Sequence, residues 1–330
     1  PPEMRGGIVG VAFSPTGTLV VTTRYGEVWM RPTTGAWRCF ARGLNEPLGL
    51  VVESDRVVWV AHRPELLKCS DTDGDGRAET FDALGGQWGV SNNYHEFFFG
   101  LRRDPAGNFY GVIGLTSLGD KLTLAQADVR GTLNTTPILE PAGHIADLPY
   151  RGWAIKIAPD GSFTPIATGF RQANGVGLSP AGEFFVNDNQ GEYKPSCGLI
   201  HVEPGSFYGH VAGLKWEPGF DAATFTSEQA WKRYSGPAVV FPHGVMGISG
   251  GEPVWDTTGG KFGPFAGQVL AGDQSPMVVR SSLELVAGGW QGACFTFLGR
   301  NENAPYAHGE KLTAGAMRSA FAPDGSLYLG

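Results

Sequence analysis

Cysteine is scarce in this chain: four in 330 residues, at positions 39, 69, 197 and 294, with no CxxC and no CxxCH. That spacing excludes a zinc ribbon and covalently attached haem, and it leaves open either buried free thiols or at least one bridge, such as Cys39 to Cys69. Basic charge is also short. The 25 Lys and Arg are outnumbered by 32 Asp and Glu, for a net charge of −7, and no stretch gathers cations into the patch that nucleic acid binding needs. Long apolar runs are missing too. The stretch 236–249 (GPAVVFPHGVMGIS) is broken by Gly, Pro and His and falls short of the roughly 20 residues of a membrane span. No basic segment followed by an apolar one opens the sequence, so a targeting segment is expected to be absent or already removed.

What is abundant is glycine, 50 residues, with 23 Pro and 42% hydrophobic residues. The glycines follow no three-residue period, and the apolar fraction suffices for a sizeable core, so collagen-like and disordered readings fail. One phrase recurs: an apolar strand, Pro-x-Gly, then an aromatic or β-branched strand. It reads VAFSPTGTLVV (11–21), LRRDPAGNFYGV (101–112), IKIAPDGSFTPI (155–166), VGLSPAGEFFV (176–186) and SAFAPDGSLYL (319–329), with a degenerate copy, GLVVESDRVVWVAH, at 49–62. Pro at the second turn position and Gly at the fourth predict a hairpin in each case. The spacing suits propeller blades of four short strands. The expected fold is therefore an all-β, six-bladed β-propeller in one domain over 1–330, with five or seven blades as alternatives. Its last blade is closed by N-terminal strands or by residues beyond 330. Two stretches break the pattern and read as insertions on one face: a polar loop near 116–135, and 221–234, where Thr226 is a candidate N-cap of a short helix.

The sharpest local signal is DTDGDGRAETFD, 71–82. Asp71, Asp73 and Asp75 fall at positions 1, 3 and 5 of a calcium loop, Gly76 at 6, the Arg77 carbonyl at 7, Glu79 at 9 and Asp82 at 12, the ligand order of an EF-hand with Asp in place of the final Glu. The alternative is a solvated acidic turn. Because the flanks read as strand, a bound Ca2+ would staple a loop.

A second constellation is NNYHEFFFGLRRDPAGNFYG (92–111), where His95 precedes an apolar strand and offers a base with a near-neutral pKa, or a structural histidine. A third is GFRQANGVGLSPAGEFFVNDNQGEYKP (169–195), with Arg171 before one strand and Asn187 to Glu192 after the next. These residues suit metal coordination, a polyol or quinone clamp, or an Asx-rich turn. Arg318 repeats the position of Arg171 before the final hairpin, so His95, Arg171, Gln190 and Arg318 are expected to converge at one end of the axis. His210 and His243 sit in turn-rich surroundings, and Trp153, Tyr208 and Trp290 are candidates to stack on a ring or to fill the core.

Three ordered matches, YHEFFFGLRRDPAGNFY, TGFRQANGVGLSPAGEFFVNDNQG and AMRSAFAPDGSLYLG, with RPELLKCSDTDGDGRAETF and GSFYGH, give the chain a likeness over residues 10–330. It resembles the soluble glucose/sorbosone dehydrogenase superfamily of propellers that bind pyrroloquinoline quinone (PQQ), and within it the sorbosone-dehydrogenase-like branch, often described as membrane-bound dehydrogenases and often fused to a cytochrome c domain. The resemblance implies an oxidoreductase acting on a sugar or polyol hydroxyl or aldehyde, a Ca2+-assisted quinone, a cytochrome c acceptor, and a periplasmic or extracellular place. It implies that His95 takes the hydroxyl proton, that Arg171 contacts the quinone, that Asn189, Gln190 and Gly191 supply cofactor and calcium contacts, and that Arg318 binds quinone carboxylates. The chain departs from the family pattern at Gln172-Ala173, where Asn-Pro is expected, and at Asp273-Gln274, where a quinone-binding Lys is expected. Two other readings stand beside this one. A metal-dependent hydrolase or lyase would use Glu96, Asn174, Asp188, Glu192 and His243, and a non-catalytic propeller would bind carbohydrate.

Overall fold

A computed structural model describes residues 3–120, 129–139, 143–299, 312 and 314–330. The first four-stranded antiparallel sheet is β1 (Ile8–Phe13), β2 (Leu19–Thr23), β3 (Glu27–Arg31) and β4 (Arg38–Ala41), and the second is β5 (Gly49–Ser54), β6 (Val57–His62), β7 (Glu65–Ser70) and β8 (Thr80–Gly85). The third begins with β9 (Phe98–Arg103) and β10 (Phe109–Ile113), is interrupted by a small hairpin of β11 (Thr116–Ser117) and β12 (His144–Ile145), and resumes with β13 (Trp153–Ile157) and β14 (Phe163–Thr168). The fourth holds β15 (Gly175–Leu178), β16 (Phe184–Asp188), β17 (Cys197–His201) and β18 (Val239–Phe241). The fifth holds β19 (Gly250–Trp255), β20 (Val269–Asp273), β21 (Met277–Val286) and β22 (Gly289–Gly299), and a two-stranded hairpin, β23 (Ser319–Phe321) and β24 (Leu327–Leu329), follows.

Every Pro-x-Gly phrase forms its hairpin. In the first, Ser14 and Thr18 are joined by a backbone bond while the Gly17 N–H closes the turn on the Ser14 carbonyl, and Gly17 takes φ +89°, a left-handed conformation that glycine adopts without steric cost. The 155–166 copy pairs the two outer strands of the third sheet, while the 176–186 copy pairs the two inner strands of the fourth. Two phrases so close in sequence therefore straddle a sheet boundary.

The first strand of each sheet packs on the first strand of the next, and β23 packs on both β19 and β1. Glycine permits this convergence: a Cβ on Gly175 would lie 2.0 Å from the Gly251 carbonyl oxygen, and one on Gly251 would lie 2.3 Å from that of Met317. The core lies between faces of neighbouring sheets, as the period-two alternation of strands requires. Val28 and Met30 pack with Val58, Val60 and Leu67 of the second sheet, whereas Trp29, between them in sequence, turns with Val11 and Val21 toward Ala320 and Tyr328 of the last hairpin.

The insertions differ from expectation in extent. The segment between β10 and β13 runs over 114–152 and so exceeds the expected 116–135, of which 121–128 lie outside the described residues. The only α-helix among the described residues is α1, Ser227–Arg233, capped by Thr226 in a capping box completed by Gln229. All four thiols are free. The bridge from Cys39 to Cys69 is therefore not formed; Cys69 packs in the core between the first two sheets, and burial pushes its thiol up to about 12.

Candidate functional site

Loops before the first strands and after the second strands meet around a cavity of about 590 Å³. His95, Arg171, Asn189 and Arg318 line it, together with Arg24, Tyr94, Phe97, His144, Gln172, Asn174 and Gln274. Among the described residues the lining holds three arginines and two histidines and no carboxylate. Its aromatic members come from 94–99. Trp153, Tyr208 and Trp290 are absent from it: Trp153 Nε1 donates to the Gly213 carbonyl, the Tyr208 hydroxyl to that of His201, and Trp290 packs edge-on against Phe185.

Two buried aspartates shape the loops by the same device. Asp188, at the end of β16, accepts from the Gln172 N–H at 3.0 Å and the Arg171 N–H at 3.0 Å, and its charge is met by Lys194. Asp273, at the end of β20, accepts from Ile248 N–H at 3.1 Å and Ser249 N–H at 2.9 Å. Each clamps the backbone just ahead of its sheet's first strand, which satisfies donors that the turn would otherwise bury unpaired. Asp273 thus occupies the end of its strand as an anchor facing the backbone, and Gln274 is the residue that reaches the cavity.

Arg171 lies over this anchored turn. Its Nε donates to Glu192 Oε2 at 2.8 Å, and its terminal amino groups have no acceptor among the described residues. Burial opposes the charge on Glu192, but Arg171 and His144 outweigh it and hold the carboxyl at about 2. Gly191 faces Arg171 rather than the cavity: a Cβ there would lie 2.2 Å from Arg171 Nε. Gln190 also departs from the expected convergence. Its side-chain oxygen accepts from the Cys197 thiol at 3.1 Å, and it does not line the cavity.

Arg318 is 1% exposed and largely committed. Nε donates to the Val9 carbonyl at 2.7 Å, one amino group to the Asn174 and Met317 carbonyls, and the other to Asn174 Oδ1 at 2.9 Å. It ties the first, fourth and last sheets together at the axis, and burial lowers its pKa. His95 is half-buried, with its ring edge-on to Tyr94 and its backbone N–H on Asn93 Oδ1.

The other candidates part company. Glu96 is fully buried, accepts from Ser91, Thr116 and Arg151, and lies behind the cavity as a structural ion pair. His243 is exposed on a turn outside the cavity. His210 is fully buried and its Nδ1 accepts from Ala212 N–H at the start of a 3₁₀ turn. His144, unremarked in the sequence, reaches the cavity from β12, and only the pairing of β12 with β11 brings it there.

The acidic loop is elsewhere. Oxygens of Asp71, Asp73, Asp75 and Glu79 lie within 4.8 Å of one another. Asp71 is buried and caps Gly74 and Gly76. Asp82 is not in the group: it sits on β8, paired in register with Lys68, because the strand begins two residues earlier and carries it away from the loop.

No family model matches the chain, and no curated protein does. Among solved structures, an oxidoreductase described as a glucose dehydrogenase from Thermus thermophilus is 17% identical, with TM-score 0.65 over 98% of this chain and 90% of that one. The holo form of the PQQ domain of pyranose dehydrogenase from Coprinopsis cinerea is 12% identical, with TM-score 0.63 over 98% and 90%. A protein named as a gluconolactonase is 12% identical, with TM-score 0.52 over 98% and 84%. The chain has the all-β, propeller-like fold of these proteins.

Proposed function

We propose that this chain is a sugar or polyol oxidoreductase of the quinoprotein kind, a single six-bladed propeller over 1–330 whose last blade includes the β23–β24 hairpin. The fold is shared with a protein named as a lactonase, so the site has to carry the argument. The observation that carries it is the axial cavity lined, among the described residues, by three arginines and two histidines without a carboxylate, a lining suited to a polyanionic planar cofactor and unsuited to a hydrolytic metal.

The residues fit PQQ on that ground. Arg171 would hold it through the terminal amino groups that Glu192 leaves unengaged, in the bidentate manner of guanidinium and carboxylate. Arg318 would add charge through its remaining N–H, and Asn189 and Gln274 would add amide contacts. When bound, the quinone supplies a two-electron acceptor for the hydride leaving a substrate carbon. His95 takes the hydroxyl proton, for which an imidazole is suited near neutral pH. Tyr94 and Phe97 offer apolar faces to a sugar ring. The acidic loop shares no residue with the cavity, which supports a structural Ca2+ on Asp71, Asp73, Asp75 and Glu79 with the Arg77 carbonyl. The sorbosone-dehydrogenase-like branch, a cytochrome c acceptor and a periplasmic or extracellular place complete the reading.

Reconstitution with PQQ and Ca2+ tests it. We expect quinone uptake by calorimetry and dye-linked oxidation of aldoses or polyols, with His95→Ala reducing turnover by about 10²–10⁴ while leaving quinone affinity nearly unchanged. Absence of quinone binding in calcium-replete protein would end this reading. Retained metal without quinone uptake would favour a hydrolase or lyase, although Glu96 and Asp188 are committed to structural bonds.

A further inference from the structure

The proposed chemistry uses one imidazole, His95, while a second, His144, lines the same cavity. The two share a frame. Asn93 Oδ1 accepts from the His95 N–H, Asn93 Nδ2 donates to the Ser117 carbonyl at 2.9 Å, and Ser117 stands opposite His144 in the β11–β12 pairing.

Behind His144, Glu192 Oε1 lies 3.1 Å from Nδ1. A carboxylate can only accept, so Nδ1 carries the hydrogen and Nε2 keeps its lone pair. Burial, then Arg171, lowers the pKa of His144, which disfavours the charged ring. Gly143 permits the approach, since a Cβ there would lie 2.4 Å from Glu192 Oε1. On the far side, fully buried His210 turns Nε2 toward Glu192 Oε2 at 3.9 Å, with no hydrogen-bond partner for that nitrogen among the described residues. Glu192 is thus held by Arg171 and approached by two imidazoles, a set that fixes one orientation and one tautomer of His144.

Two amide acceptors of the cavity are already engaged. No carboxylate lines it among the described residues, Asn174 Oδ1 is taken by Arg318, and Asn189 Oδ1 by the Ser249 hydroxyl. We propose that His144 Nε2 is a substrate-binding acceptor that takes the hydrogen of a sugar hydroxyl other than the one oxidised, with Glu192 and Gly143 as its positioning residues. The inference rests on the sugar-oxidoreductase reading above and adds a specificity determinant to it.

The test is calorimetric titration of PQQ- and calcium-reconstituted protein with D-glucose and with deoxyglucoses that each lack one hydroxyl. His144→Phe is expected to weaken glucose binding by about tenfold, the loss of one hydrogen bond, and His144→Gln, which keeps an acceptor oxygen, is expected to recover most of it. One deoxyglucose should bind the parent weakly and be indifferent to His144→Phe, a coupling that a purely structural role would not produce. Nitrogen NMR of the parent should show the Nδ1–H tautomer for His144, and Glu192→Ala should mix the two tautomers. Unchanged glucose affinity in a folded His144→Phe protein, or an Nε2–H tautomer in the parent, would overturn the acceptor role alone. A parent that binds none of these sugars would overturn the functional reading and this inference with it.

Discussion

Arg171 of the cavity wall is paired with Glu192 behind it: Nε to Oε2 is 2.8 Å, and the bare Cα of Gly191 leaves the gap in which the guanidinium lies. Gly191→Ala would force the side chain out of that gap. Quinone affinity is expected to fall by at least about tenfold, read by calorimetry, with the secondary structure by circular dichroism unchanged.

Glu192 also gives a pH dependence of stability. Its folded pKa, about 2, lies below its ordinary value of 4.5, so the stabilisation is complete above about pH 4.5 and disappears as pH falls toward 2. Denaturant midpoints of the parent and of Glu192→Gln should therefore differ near neutrality and converge over that acid window. A constant difference down to pH 2 would contradict the pairing.

Glu96 and Arg151 are both fully buried and paired at 3.5 Å, and burial brings the arginine down to about 10. Removing one partner leaves the other charge without compensation. Glu96→Ala should cost about 3–5 kcal/mol of folding stability, seen in urea unfolding, whereas a catalytic Glu96 would lose activity without that loss.

The acidic loop separates by residue. Chelation should lower the thermal midpoint of the parent, and Asp71→Asn should abolish that response. Asp82→Asn should leave it nearly intact, because Asp82 stands on β8 outside the oxygen cluster. Equal effects of the two substitutions in scanning calorimetry would restore the twelve-residue ligand set.

Local chemistry determined much of this protein. Pro-x-Gly fixes its turns wherever it falls, because proline presets φ and glycine adopts the left-handed residue at no cost. All the hairpins built on it were legible for that reason, as was the helix capped by Thr226. The motifs also singled out His95, Arg171 and Arg318, which line one cavity. Other features depend on distance and on direction, which a linear sequence does not carry. Gln190 and Asn189 are adjacent in the loop after β16, yet one side chain meets Cys197 and the other the cavity. Asp188 and Asp273 occupy positions where ligands of a metal or quinone were expected and proved to be backbone anchors, because the N–H groups they satisfy belong to turns 16 and 25 residues away. His144 had no motif at all: its place depends on the pairing of β12 with β11 and on a carboxylate 48 residues further along the chain. Turn-forming propensity is a property of four or five consecutive residues, whereas the tautomer and the exposure of an imidazole are set by whatever the tertiary fold packs against it.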